Sequence, residues 1–82
     1  MTMQRYRVVV KSSRVIGVET LGDEDEEYLG IEWALSEARD SFSHAKHIDG
    51  SYTLAGKEEL GEFLGYVEKL LGREALGGFG RN

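Results

Sequence analysis

The chain is expected to fold as an α+β domain, an N-terminal antiparallel β-hairpin packed against two amphipathic helices in the order β-β-α-(β)-α. Three observations lead there. Apolar and polar residues alternate from Gln4 to Lys11, and β-branched residues fill the stretch from Arg14 to Leu21. Apolar residues then recur at steps of three and four, first from about Asp25 to His47 and again from Lys57 to Gly72. Period two marks a strand with one face buried, and period 3.6 marks a helix with one face buried.

In the first strand Tyr6, Val8 and Val10 point one way while Arg5, Arg7 and Lys11 point the other, which makes a basic outer face. Ser12-Ser13 separates this strand from a second, in which Ile16, Val18 and Thr20 are expected to face the core. Two-residue hairpin turns need positive φ and favour glycine or asparagine, so a serine pair predicts a longer loop of about 3–5 residues. Gly22-Asp23 breaks the strand, and Asp23 is a good helix N-cap. The five carboxylates from Asp23 to Glu27 then sit where the helix dipole favours negative charge.

The first helix carries an apolar stripe of Tyr28, Ile31, Leu35, Ala38, Phe42 and Ala45, and Asp49-Gly50 is expected to end it, with the glycine as a left-handed cap. Ser51-Tyr52-Thr53-Leu54 fits either a short third strand or a linker. The second helix buries Leu60, Phe63, Leu64, Val67, Leu70 and Leu71 and stops at Gly72. Gly61 and Gly65 lie four apart on its flank and suggest a close backbone approach within the fold, each costing about 1 kcal/mol of helix propensity relative to alanine. Residues 1–72 thus form one compact domain, and residues 73–82, with Gly77-Gly78-Phe79-Gly80, are expected to form a flexible C-terminal tail.

Composition narrows the function. The chain has 82 residues, so a single core is expected, and a domain of this size buries only about 60% of its unfolded surface. Without cysteine it can use neither disulfides nor thiolate metal sites, which leaves helix packing or self-association, a homodimer through a strand edge or a helix face, to reinforce it. No apolar run approaches the ~20 residues of a membrane span, and no signal-like stretch opens the chain, so a cytoplasmic location is expected.

Net charge is −5, but charge is segregated: residues 1–17 hold Arg5, Arg7, Lys11 and Arg14 with no acid, whereas every charged residue from Glu19 to Glu32 is acidic. Such a layout gives a dipolar surface.

Catalysis finds no foothold in this sequence. Ser41, Ser43 and His44 lie close in sequence, but neighbours one apart on a helix do not face each other, and no glycine-rich phosphate loop opens a helix. A domain this small rarely encloses a substrate pocket. Glu37, Asp40, His44 and His47 share a helix sector at cation-sharing spacing. A single helix rarely supplies a complete ligand set, however, so no metal and no cofactor are expected.

The same sector holds the most informative constellation. Leu29 and Trp33, the latter the only tryptophan, fall opposite the core stripe among Glu26, Glu37 and Asp40. Apolar anchors with a charged rim are the anatomy of a protein-binding surface. The expectation is a non-enzymatic acidic module, a regulator or inhibitor that engages a basic surface of a partner protein, including one that normally binds nucleic acid. The alternatives are a dimeric nucleic-acid-binding protein using Arg5, Arg7, Lys11 and Arg14 with Tyr6 stacked on a base, or a structural subunit of a larger assembly. A pI of 4.9 weighs against the first of these.

Overall fold

The computed structural model describes residues 4–21 and 28–76. It contains β1 (Arg5–Lys11), β2 (Arg14–Leu21), α1 (Ile31–Ala45), β3 (Gly50–Ala55), α2 (Gly56–Leu71) and a short 3-10 turn at Arg73–Leu76. The α+β order is therefore β-β-α-β-α, and the ambiguous 51–54 stretch is a strand. β1 is central in an antiparallel sheet of order β2-β1-β3. Its register sets Val8 against Val18 on one side and against Tyr52 on the other.

The hairpin departs from expectation at its turn. Lys11 pairs directly with Arg14, so the loop is only Ser12-Ser13, and both serines adopt positive φ, 54° and 60°. This conformation is unfavourable for residues with a Cβ. The segment after α1 compensates it. Ser12 N–H donates to Asp49 Oδ1 at 2.7 Å, Ser13 N–H donates to the Ile48 carbonyl at 3.3 Å, and Ile48 N–H donates to Ser13 Oγ at 3.2 Å. A tertiary clamp thus replaces the local glycine or asparagine.

A second departure lies in β2. The pairing steps from Val9↔Gly17 to Val10↔Val15, which leaves Ile16 as the extra residue of a β-bulge. The bulge reverses the alternation beyond it. Val15 enters the core, while Ile16, expected inside, is 57% exposed. Thr20 is exposed as well.

One face of the sheet carries Val8, Val10, Val15, Tyr52 and Leu54, all buried, and the helices pack there. Phe63 and Val67 of α2 and Ala34 and Ala38 of α1 complete the core with Ile48. The Tyr52 and Phe63 rings lie 4.8 Å apart, centroid to centroid. Each of the large apolar side chains contributes roughly 1.5–3 kcal/mol by leaving water. The alanines let α1 approach closely.

β3 runs into α2 without a loop. Gly56, at φ 80°, makes the corner, and its N–H donates to the Gln4 carbonyl at 2.7 Å. Only a residue lacking Cβ adopts that φ cheaply.

Helix limits also differ from expectation. α1 begins at Ile31 with Gly30 as N-cap, and the expected cap Asp23 and the run to Glu27 lie outside the described residues. α1 ends four residues before Asp49-Gly50. Lys46 takes the left-handed cap at φ 64°, with its N–H on the Phe42 carbonyl, and Gly50 instead opens β3. Ala45, expected in the apolar stripe, is exposed. At the other end Gly72 caps α2 as expected, its N–H on the Glu68 carbonyl at 2.7 Å. Of the segment expected to trail as a tail, Arg73–Leu76 turn back with Ala75 buried, and residues 77–82 lie outside the described residues.

Gly61 and Gly65 lie on the exposed side of α2, and a Cβ built on either meets nothing within 4 Å. None of the described residues approaches them, so the close-approach expectation is not met among these residues. The core lies on the opposite side of the helix, around Phe63 and Val67.

Candidate functional site: the exposed face of helix α1

Helical spacing places Trp33, Glu37, Asp40 and His44 on one side of α1, turned away from the buried Ala34 and Ala38. All four are exposed. Trp33 is 41% exposed and Leu29, just before the N-cap, 51%. Together with Ile16 they are the exposed large apolar side chains among the described residues. Exposure of Trp33 at this level is informative because tryptophan is large and is usually covered.

The segment entering α1 is anchored where Leu29 is presented. The Tyr28 hydroxyl donates to both carboxylate oxygens of Glu59, at 2.8 and 2.9 Å, and Glu59 Oε1 also accepts the Ala55 N–H at 3.0 Å. Ala55, the N-cap of α2, has no capping side chain, and Glu59 reaches back to serve its N–H. The Arg5 guanidinium lies 5.4 Å from the centre of the Tyr28 ring. Burial raises the Tyr28 pKa above its ordinary value, and the hydrogen bond and negative charge of Glu59 raise it further, while Arg5 acts the other way. This latch brings the start of α1 to the first turn of α2, so both helices begin at the same end of the sheet. Glu32, Glu58 and Glu59 gather there, near the positive helix N-termini.

Glu37 also acts inward. Tyr52, buried beneath α1, has its pKa raised by burial and by the charge of Glu37, partly offset by a hydrogen bond with Ser41. His44 Nδ1 lies 3.3 Å from the Asp40 carbonyl. His47 lies beyond the helix, paired with Asp49 at 3.6 Å. The structure therefore separates His47 from the sector it was expected to share with Glu37, Asp40 and His44. Among the described residues no three histidine or carboxylate side chains are placed to hold one metal ion. Of the expected partner-binding residues, Leu29, Trp33, Glu37 and Asp40 are placed as described, and Glu26 lies outside the described residues.

The alternative basic surface is on the sheet. Arg5, Arg7 and Lys11 alternate onto the face opposite the core, and Arg14 joins them as the partner of Lys11. Arg7 forms an ion pair with Glu19 across the strands at 3.2 Å. Tyr6, the residue considered for stacking on a base, lies on the Val8 and Val10 side, as its alternation predicts, between Leu54 and Thr20 in the register. Among the described residues, the strand positions that share the face of Arg7 and Lys11 carry no aromatic side chain. The sequence reading missed two features of the surface: the exposed Ile16, which a strict alternation pattern hides, and the Tyr28–Glu59 latch, which joins residues 31 positions apart.

No protein-family model, curated protein or solved structure matches the chain. The functional reading therefore comes from the residues themselves.

Proposed function

We propose that the chain is a small acidic, non-enzymatic protein-binding module, a regulator or inhibitor whose α1 face engages a basic surface on a partner protein. One observation carries this reading: Leu29 and Trp33 are exposed at the end of the molecule where carboxylates gather, with Glu37 and Asp40 beside Trp33. Apolar anchors supply affinity when water is excluded from them, and the acidic rim steers and orients a cationic partner. A partner that normally binds nucleic acid fits the charge. The carboxylates would occupy the sites that otherwise contact phosphates and exclude the nucleic acid.

Capture from nuclease-treated native lysate tests the proposal. The wild type should retain a specific basic protein, and Trp33→Ala should lose it while keeping a native circular-dichroism spectrum. Loss of about 2 kcal/mol or more of binding energy is expected for a buried tryptophan anchor. Equal retention by wild type and variant would sink the reading. So would a partner lost only when Lys11 and Arg14 are reversed, which would point to the sheet face.

A further inference from the structure

The two layers of this fold carry opposite charge. Lys11 and Arg14 stand at the hairpin end of the uncovered sheet face, with Asp49 accepting the Ser12 N–H at the turn and Arg7 paired with Glu19 further along. No carboxylate of the described residues lies within ion-pair distance of Lys11 or Arg14. Helices α1 and α2 expose the reverse: Glu32, Glu37, Asp40, Glu58, Glu62 and Glu68, with Glu59 behind them, against Arg39, Lys57 and Lys69. Each side also has apolar surface to bury, Trp33 and Leu29 on the helix layer and Ile16 near the cationic hairpin end, aimed outward by the bulge. Because the helices cover the opposite face of the sheet, the two charged surfaces point away from each other. They cannot meet within one molecule, but they can meet between two.

We infer that the sheet face around Lys11, Arg14 and Ile16 is a second docking surface, and that its occupant is the acidic α1 face of another copy of this chain. The inference rests on the proposed role of α1 and extends it: a second copy competes with the basic partner for the same residues. The contact is heterologous, one surface against a different one, so each copy retains one unused surface of each kind at the ends of the assembly. It is an attraction between exposed charges and weakens as salt rises. Self-association then stores the protein with α1 covered, and dilution or a stronger basic partner releases it.

Sedimentation of the purified full chain tests this. At low salt, about 20 mM, the mean mass should rise with concentration above that of the monomer, and it should return to the monomer value near 500 mM. Lys11→Glu/Arg14→Glu and Glu37→Lys/Asp40→Lys should each be monomeric alone. When each variant is mixed instead with Trp33→Ala or with wild type, the decisive comparison is between partners that retain complementary surfaces. Lys11→Glu/Arg14→Glu keeps its α1 face, Trp33→Ala keeps its sheet face, and their mixture should form a capped one-to-one dimer. A wild type that stays monomeric at low salt overturns the inference, as does association that survives in the hairpin variant alone. Partner capture separates the two claims, because Lys11→Glu/Arg14→Glu should still retain the basic protein that Trp33→Ala loses.

Discussion

Replacing Gly61 and Gly65 of α2 with alanine should stabilise the protein. Both lie within the helix and on its exposed side, and a Cβ added at either position meets no atom within 4 Å. Alanine therefore introduces no clash, and neither position has the positive φ of Gly56 or Gly72. What remains is backbone entropy. Glycine samples more conformations in the unfolded chain and loses more on folding, a difference of about 0.8–1 kcal/mol per residue in a helix interior. Neither Cβ shares a packing partner with the other, so the effects should add to about 2 kcal/mol. For a domain of this size that corresponds to a rise in Tm of about 8–16 °C. Urea denaturation of both single variants and the double variant provides the assay. The midpoint should rise in each with an unchanged m-value, since the surface exposed on unfolding scarcely changes. A neutral or destabilising outcome would refute the reasoning, for it would mean that the outer side of α2 is in close contact with something.

Other positions yield further predictions. Val15→Ala should cost about 2 kcal/mol as a core truncation, whereas Ile16→Ala should change stability by under about 0.5 kcal/mol, despite Ile16 being the larger side chain; equilibrium unfolding of the pair checks the bulge. Asp49→Ala should destabilise by about 1–2 kcal/mol by leaving the strained Ser12 N–H without its acceptor, and Ser12→Gly in that background should recover part of the loss by relaxing the turn. Tyr28 and Tyr52 hold their phenolic protons more tightly in the folded chain, because burial disfavours phenolate and Glu59 and Glu37 repel it. The unfolded chain therefore ionises first. Stability should be intact below about pH 10 and fall as pH rises through the folded values, and Tyr28→Phe/Tyr52→Phe should flatten that alkaline decline in urea midpoints.

Periodicity made the element order and the main buried residues of α2 legible, because Phe63 and Val67 fall on an uninterrupted 3.6-residue pattern. The exposure of Leu29 and Trp33 was legible for the complementary reason: both interrupt the polar side of the 3.6-residue pattern that runs through α1. The misreadings cluster where local preference yields to contacts distant in sequence. Ser12-Ser13 has poor propensity for a two-residue turn, yet Asp49 and Ile48 hold it there from 35 residues away or more. Ile16 alternates correctly with Val18, but a single extra residue in β2 moves Val15 inward and Ile16 outward. Lys46, rather than a glycine, ends α1, since the chain must turn early enough for Ile48 to be buried and for Asp49 to reach the hairpin. The two α2 glycines looked like a packing device because a glycine's cost suggests a compensating contact, and none of the described residues makes one.

Photocrosslinking from α1 is the most direct measurement of the central claim. A photoreactive amino acid at Glu37, beside Trp33 on the exposed face, would be activated in cells, with the same group at Gly65 of α2 as control. The account predicts a discrete adduct with a basic protein from position 37, absent from position 65 and lost when Trp33→Ala is added. No adduct from position 37, or an adduct that Trp33→Ala leaves unchanged, would contradict it.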